Sequence, residues 1–447
     1  MSKEKVVIGE EGLFDAKQLG VPKMLVLGLQ HMFAMFGATV VVPALTGLDV
    51  STTLLFAGLG TLLFHFLAKG KVPAFLGSSF AFLAGYWAIA PNGEPELLPY
   101  ACFGVACAGL LYLVLAALIK AFGTSKVMRF FPPIVTGPII IAIGLNLSQS
   151  AIDNCAANWW IAVLAIIIVV VCNIWGKGMI KIVPIIMGVI GSYLVAAVTG
   201  NVDFTPVKEA AWIGLPIHWD KTVFSIFSNA DVSLLITAVI TIMPIALATM
   251  VEHIGDMSAI SSTVGRNYIK DPGLHRTLIG DGLATAIAAL FGAPANTTYG
   301  ENTGVLSLTK VYDPVVIRIA AGFAILFAFS PKVGAVISCM PTATLGGVSL
   351  VLYGMISAVG VRNVVENKVD FTKSRNVIIA ALILVLSIGI NYSAAGAIAF
   401  TIGNVTISLS GLAVGALTGI ILNAVLPGKD YEFDEEKPSD TGVNFEV

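Results

Sequence analysis

The sequence predicts an all-α polytopic membrane protein with fourteen transmembrane segments in two inverted repeats of seven. Three observations support this fold class. First, 57% of the residues are hydrophobic and only 12% are charged, whereas soluble domains carry about 25% charged residues. Second, the chain contains many apolar runs of the ~20 residues that a helix needs to cross the hydrocarbon core. Third, basic residues and Pro- and Gly-containing landmarks recur in a regular order along the chain.

The apolar runs predict where the spans lie. They place spans near residues 24–45, 52–68, 74–90, 99–121, 132–148, 158–175, 182–199, 232–254, 275–292, 296–309, 314–330, 334–357, 376–392 and 404–425. The third and tenth are short and rich in Gly, Ser, Asn and Pro, so we expect that they are not complete helices.

The positions of Lys and Arg test this number of spans. With the N-terminus inside and the spans alternating, only Lys208, Lys221 and Lys332 of the 25 basic residues fall outside. Cytoplasmic segments are enriched in Lys and Arg in this way, and the loss of one central span would break the pattern. Both termini are therefore predicted to be cytoplasmic, and the acidic stretch 430–447 is expected to be a solvated tail.

Matching landmarks indicate the repeat. His31 in span 1 and Glu252 in span 8 are polar residues 221 positions apart, and Pro73 and Pro294, before spans 3 and 10, have the same separation. An odd number of spans in each half inverts the second half relative to the first. Short, Gly- and Pro-interrupted segments at matching positions of inverted halves are typical of a transporter binding site near the midplane. The alternative is that small residues only allow close helix packing there.

Glu252 and Glu301 are the leading candidates for a binding site. An acidic side chain at bilayer depth costs about 2.5–3.5 kcal/mol, and such residues usually face a bundle interior or an aqueous cavity. Two carboxyl groups beside one cavity can bind a small planar molecule that offers N–H groups, and burial favours their protonated form. The alternative is a carboxylate neutralised by a nearby Lys or Arg, but the surrounding spans contain none.

Other polar residues in these spans are weaker candidates. Asp256 shares a helix face with Glu252 if the helix continues, where it would relay a proton or cation; alternatively, it caps the helix at the cytoplasmic interface after Gly255. His253 points about 100° away from Glu252. For His31, a role in structural support is favoured over titration. Asp281 is another acidic residue in an apolar run.

Several function classes are disfavoured. HExxH, GxSxG and Walker motifs are absent, and there is no soluble domain to hold ATP, so we expect a secondary carrier rather than an enzyme or a pump. The five Cys lie in or beside apolar segments without zinc spacing, which favours packing over disulfide or metal roles. Residues 1–21 lack the apolar core of a cleavable signal peptide. No nucleic-acid partner is expected.

Five stretches carry a resemblance to a known family. They are 28–43 (GLQHMFAMFGATVVVP), 77–82 (GSSFAF), 252–256 (EHIGD), 272–276 (PGLHR) and 296–309 (NTTYGENTGVLSLT). With them the chain resembles the nucleobase–ascorbate transporter family, and within it the bacterial uracil permeases, from about residue 23 to 426. The last stretch contains the family signature, an acidic or amide residue followed by Asn-x-Gly-x4-Thr, here Glu301 to Gly304 with Thr309.

The resemblance implies how the chain is divided. Spans 1–4 and 8–11 (23–123 and 232–331) would form a core domain, and spans 5–7 and 12–14 (124–200 and 332–426) a gate domain. Residues 1–22 and 427–447 would be cytoplasmic ends, and 201–231 an extracytoplasmic loop. Short antiparallel strands in spans 3 and 10 would meet at the ligand.

The same resemblance implies roles for single residues. Glu252 and Glu301 would hydrogen-bond a pyrimidine ring, and Asn302 would support the site. The pocket would be lined, mainly through backbone groups, by Phe80, Tyr299 and Gly300. By itself, Phe80 could offer a ring face for stacking, but a lone aromatic is more typical of an apolar core.

The resulting prediction is a transporter of the cell inner (plasma) membrane that imports uracil by proton symport with alternating access, as a homodimer. Asp256 stands where one branch of uracil permeases has His and many purine-type members have Asp, so a xanthine or urate symporter is the alternative. An anion exchanger or channel on the same fold is more remote, because the midplane is acidic. No cofactor is expected besides the coupling proton, and Na⁺ is the alternative coupling ion.

Overall fold

The computed structural model describes residues 8, 11–402, 405–429, 431 and 433, and most of them are helical. The first half contains the helices α1 (Val21–Thr46), α2 (Val50–Leu67), α3 (Leu83–Ile89), α4 (Leu98–Phe122), α5 (Thr124–Met128), α6 (Pro133–Asn146), α7 (Ser148–Ala156), α8 (Trp159–Ile174), α9 (Met179–Ile182) and α10 (Pro184–Val198). The second half contains α11 (Thr205–Glu209), α12 (Val232–Ile242), α13 (Ala246–Val264), α14 (Leu274–Leu290), α15 (Gly300–Thr309), α16 (Pro314–Ala328), α17 (Pro331–Ser338), α18 (Thr342–Glu366), α19 (Ser374–Asn391) and α20 (Gly411–Val425). The strands are β1 (Leu76–Ser78), β2 (Asn296–Thr298), β3 (Ala397–Ile402) and β4 (Val405–Ser410).

The length and apolar character of the helices are those of a multi-pass membrane protein. Within the described residues, seven helical runs are long and apolar enough to cross a membrane, and an eighth is the pair α16 and α17, bent by 85°. Three shorter apolar helices, α8, α10 and α20, add to them, as do α14 and the segments β1–α3 and β2–α15. These fourteen segments follow the predicted order, which confirms the fold class.

Local sequence explains where several helices begin and end. Asp49 caps α2 by accepting a hydrogen bond of 2.7 Å from the backbone N–H of Thr52, and Asp313 caps α16 in the same way. Such caps satisfy backbone donors that have no partner inside the helix. Helix α13 ends at Gly265, which adopts a left-handed backbone conformation (φ 71°) that glycine tolerates best.

Strands β1 and β2 pair antiparallel where the two halves of the chain meet. Leu76 lies opposite Thr298, Gly77 opposite Thr297 and Ser78 opposite Asn296. The repeat offset of 221 residues relates Leu76 to Thr297 and Thr298 to Gly77. The pair Leu76 and Thr298 is therefore related to the pair Thr297 and Gly77, which is also in register. The strand pair therefore has the two-fold symmetry that inverted repeats require.

The helices pack in two groups, each with members from both halves. In one group α4 lies against α14, α2 against α16 and α14, and α1 against α16. In the other, α6, α7 and α8 lie against α18, and α19 against α6 and α20. Helices α4 and α14 approach closely at Gly109 and Gly282, where a Cβ on either residue would lie 2.6 Å from the other's carbonyl oxygen. Small residues allow such contacts between membrane helices.

The outer surface is apolar, as a lipid-facing surface must be. On α4 the exposed side chains Leu110, Val114 and Leu118 recur every four residues and form one stripe. Helix α8 likewise exposes Ile167 and Val171. A lipid environment solvates these side chains, so their exposure agrees with a position inside the bilayer.

Four spans have boundaries that differ from the expected ones. Span 12 was expected at 334–357, but residues 334–338 belong to α17 and the long helix α18 is Thr342–Glu366. Span 14 was expected from residue 404, but α20 begins at Gly411 after strand β4, which forms a hairpin with β3. Its alternation of apolar and hydroxyl residues is a strand pattern inside an apolar run. The helical part of span 8 continues beyond residue 254 to Val264, and span 5 continues through α7 to Ala156. Most of the predicted cytoplasmic ends, residues 1–7, 9–10, 430, 432 and 434–447, lies outside the described residues.

Candidate functional site

The strand pair forms the centre of the candidate site. Neither Pro73 nor Pro294 lies within a helix, and the missing backbone donor of proline disfavours a helix at both positions. The backbone groups set free here pair across the two halves: Ser79 N–H donates to Ala295 O at 2.8 Å, and Tyr299 N–H donates to Phe75 O at 3.0 Å. The interrupted helices therefore leave few unpaired backbone groups within the membrane.

Tyr299 fixes the geometry of the strand pair. Its hydroxyl donates to Ser78 O at 2.8 Å, and its ring lies against Gly77. A Cβ at Gly77 would lie 2.5 Å from Tyr299 Cζ and 2.5 Å from Thr39 Oγ1. Only glycine leaves room for this ring, which is why the small residue is needed at this position.

Glu252 and Asp256 lie on the half-exposed face of α13. That face consists of Glu252, Gly255, Asp256 and Ala259, which follow the i, i+3, i+4, i+7 spacing of one helix side. The neighbouring residues His253 and Ile254 are buried. The sequence-based expectation that His253 points away from Glu252 is therefore confirmed.

Glu301 lies at the start of α15, directly after β2. It is the second helical residue, and the half-exposed face continues through Gly300, Gly304 and Ser307. No atom lies within 4 Å of a Cβ built on Gly300 or Gly304, so there is open space in front of the helix start. Backbone N–H groups at a helix start are free to bind acceptors.

The half-exposed faces of α13 and α15 belong to one site. Helix α13, which carries Glu252 and Asp256, contacts both β2 and α15, which carries Glu301. Within the described part of the chain, none of these carboxyl groups forms an ion pair with Lys or Arg. The alternative of a carboxylate neutralised by a basic residue therefore does not hold there.

Asp256 is held by the strand pair. Thr298 Oγ1 donates a hydrogen bond of 2.5 Å to Asp256 Oδ2. Because α13 continues for two more turns to Val264, Asp256 does not cap a helix end. Of the two interpretations of this residue, the structure retains the one in which Asp256 shares a face with Glu252.

His31 and Asn302 form a buried support behind this face. Asn302 Nδ2 lies 3.0 Å from the carbonyl oxygen of His31 and 3.2 Å from its Nδ1. Both residues are fully buried, so they join α1 to α15 without reaching the open space. The buried position of His31 and Asn302 is consistent with a role in supporting the structure of the site.

Phe80 follows strand β1 in the chain. It is buried, and its ring meets Tyr353 of α18 edge to face, with centroids 5.7 Å apart. Sequence reasoning missed Tyr353, because a tyrosine in an apolar helix gives no sign of a contact 273 positions away. The contact joins the two packing groups of helices.

A second polar pair lies behind the carboxyl groups. His253 Nδ1 and Asp281 Oδ2 are 2.9 Å apart with both side chains fully buried. Nearby, Tyr112 donates a hydrogen bond of 2.7 Å to Thr249. The pair joins α13 to α14 and does not face the open space. Elsewhere in the described residues, no three His, Cys, Asp or Glu side chains converge as a metal site would require.

Known proteins resemble this chain over most of its length. The model of a permease family matches residues 22–396. The chain is 40% identical over 432 residues to a uracil permease of Bacillus caldolyticus, covering 94% of this chain and 96% of that protein. It is 38% identical over 444 residues to a uracil permease of Bacillus subtilis (strain 168), covering 96% and 97%.

Solved structures share the fold at low sequence identity. The structure of SLC26A9 matches with a TM-score of 0.61 and 13% identity, covering 92% of this chain and 66% of that one. The transmembrane domain of the cyanobacterial bicarbonate transporter BicA matches with 0.59 and 15%, covering 86% and 99%. These likenesses concern the inverted-repeat fold alone. The family match and the extent of the sequence identity confirm the resemblance read from the motifs: the chain belongs to the permease family, and it is a multi-pass membrane transporter rather than an enzyme.

Proposed function

We propose that this transporter imports uracil into the cell by proton symport. The observation that carries the proposal is that Glu252 and Glu301 lie on partly exposed faces of two contacting helices, α13 and α15, with open space in front of the start of α15. The names of its relatives, uracil permeases at 38–40% identity, support the same substrate.

The chemistry of uracil fits this site. The ring is planar and offers two N–H donors and two carbonyl acceptors. Carboxylate oxygens of Glu252 and Glu301 accept from the ring N–H groups, and free N–H groups at the start of α15 donate to a carbonyl. In this proposal Phe80 and Tyr299 bound the ring, as the family resemblance implies.

A proton makes the acidic site tolerable inside the membrane. Several carboxyl groups without a basic partner repel one another, so binding a proton with the substrate lowers the negative charge of the loaded site. Asp256, one turn from Glu252 on the same face, relays this proton, and Thr298 orients it. A sodium ion is the alternative coupling ion.

Alternating access requires two bodies that move against each other. We assign spans 1–4 and 8–11 to a core domain and spans 5–7 and 12–14 to a gate domain, in agreement with the two packing groups. The ring contact between Phe80 and Tyr353 then lies on the moving boundary. We further propose a homodimer in the inner membrane with both termini in the cytoplasm, as the basic residues indicate.

Uptake of radiolabelled uracil into cells or proteoliposomes tests the site. Glu252→Gln and Glu301→Gln should each lower uptake at least tenfold, because a hydrogen bond to a charged group contributes about 1.5–3 kcal/mol. Glu209→Gln, at the exposed end of α11, is the matched control and should transport normally. If both site variants transport like the unmodified protein, the site assignment is wrong. Loss of accumulation on adding a protonophore, with Na⁺ absent, tests proton coupling.

A purine substrate is the second candidate, because Asp256 resembles the purine-type members of the family at that position. Competition by unlabelled xanthine and urate separates the two: a hundredfold excess of xanthine leaves uracil uptake unchanged if uracil is the substrate. An anion substrate is disfavoured, since the side chains around the open space are acidic.

A further inference from the structure

A cavity of about 710 Å³ lies away from the carboxyl groups, at the edge between the two packing groups of helices. It is bounded by the first turns of α1, by the end of α15 and by the link from α8 through α9 to α10. Its position and lining give it no part in binding uracil, whose proposed site is at the opposite end of α15.

The rim of this cavity is basic. Lys23 of α1 and Lys177 and Lys181 of the α8–α10 link line it, and no acidic residue does so within the described part of the chain. None of the three lysines forms an ion pair with a described residue. Three uncompensated cations around one opening attract an anionic group.

The walls of the cavity are apolar. Val26, Leu27 and Leu308 line it, and Val26 is 63% exposed. Beside the opening, Val21 of α1 and Trp175 after α8 are also strongly exposed. Tryptophan is enriched where a membrane protein meets the headgroup region. The opening therefore faces the boundary between headgroups and hydrocarbon rather than bulk water.

A buried polar side chain lies deeper in the cavity. Gln30 lines it and is 95% buried, since only 5% of its surface is exposed. Its side chain forms no hydrogen bond among the described residues, and its amide is not one of the fully buried polar atoms that lack a partner. The amide is therefore accessible from the cavity, where it can hydrogen-bond a polar group of a ligand.

We propose that this cavity binds a phospholipid with an anionic headgroup. The lysines contact the phosphate, Gln30 hydrogen-bonds a polar headgroup or glycerol oxygen, and an acyl chain lies along Val26 and Leu27. A free phosphate would leave the apolar walls without a partner. Because the lysines lie on the side assigned to the cytoplasm, the lipid belongs to the inner leaflet, and it contacts both groups of helices.

Native mass spectrometry of the purified full-length protein tests this site with added phosphatidylglycerol and phosphatidylcholine. The unmodified protein should bind phosphatidylglycerol at least tenfold more tightly. The triple variant K23Q/K177Q/K181Q should lose this preference, by about fivefold for each lysine, since a basic residue near an anionic lipid surface contributes ~1 kcal/mol. The matched control K69Q/K120Q/K126Q removes three other cytoplasmic-side lysines and should keep the preference.

Two further variants decide where the lipid binds. Val26→Trp fills the cavity and keeps all three lysines, so it should weaken binding of phosphatidylglycerol at least tenfold. The proposal is overturned if this variant, or the lysine triple variant, binds phosphatidylglycerol as the unmodified protein does. It is also overturned if the preference appears only after the acidic tail is neutralised by D434N/E435Q/E436Q, because the tail would then be the occupant.

Discussion

Thr298 Oγ1 donates a hydrogen bond of 2.5 Å to Asp256 Oδ2, which joins strand β2 to helix α13 across 42 positions of the sequence. The bond connects two structural elements of the site, an interrupted span and a helix that carries two acidic residues. It holds one carboxyl group of the cluster in a fixed place. A carboxyl group without such a donor, among other acidic groups, would be costly inside the membrane.

Removing this donor should impair transport. Thr298→Val keeps the shape of the side chain but leaves Asp256 without its partner, which costs about 1.5–3 kcal/mol for a charged acceptor. We expect uracil uptake to fall about tenfold or more, and Thr298→Ser to restore most of it. Thr297→Val is the matched control, because the Thr297 hydroxyl is buried without a partner among the described residues. Equal uptake by the two valine variants would show that the bond has no functional role.

The pair His31 and Asn302 should behave as one unit. Asn302→Ala removes both hydrogen bonds to His31, whereas His31→Ala removes only the bond to its ring. Residues in direct contact usually show coupling of about 0.5–3 kcal/mol in a double-mutant cycle. We expect the double variant to be little less stable than Asn302→Ala, as measured by thermal unfolding in detergent. Strict additivity of the two losses would contradict the contact.

Gly77→Ala should disturb the strand pair. The added methyl group would lie 2.5 Å from Tyr299 Cζ and Thr39 Oγ1, so the ring or the strand must shift, at a cost of about 1–3 kcal/mol. We expect a lower unfolding temperature together with weaker uracil binding, read from ligand-induced thermal shifts. The matched control is Gly322→Ala on α16, where no atom lies within 4 Å of the new methyl group. It should leave both quantities unchanged or slightly stabilise the helix.

The sequence was sufficient to predict the spans and the two interrupted segments. In a chain so poor in charge, each acidic residue is conspicuous, which is why Glu252 and Glu301 could be singled out. Pro73 and Pro294 marked the interruptions because proline cannot continue a helix. The 221-residue offset predicted that the two segments correspond, and the register of β1 and β2 agrees with it.

Contacts between distant residues could not be predicted in this way. Nothing in the sequence around Thr298 or Tyr353 indicates a partner, because the partners are fixed only by how the helices pack. The hairpin of β3 and β4 was also missed, since its short alternation of apolar and hydroxyl residues lies next to the apolar run of span 14. Periodicity over so few residues does not separate a strand from part of a helix.

His253 and Asp281 should stabilise the protein rather than bind its substrate, because their contact of 2.9 Å is fully buried and turned away from the open space. Asp281→Leu leaves His253 without a partner and should cost about 2–5 kcal/mol of stability. Asp281→Asn, which keeps a hydrogen-bond acceptor, should cost less. Asp220→Asn, on an exposed loop, is the control.

Thermal unfolding and uracil binding, measured on the same samples, separate a structural role of Asp281 from a role in binding. A positioning role predicts that Asp281→Asn lowers the unfolding temperature while the folded fraction binds uracil within about threefold of the unmodified protein. Loss of binding at an unchanged unfolding temperature would instead make Asp281 part of the binding site.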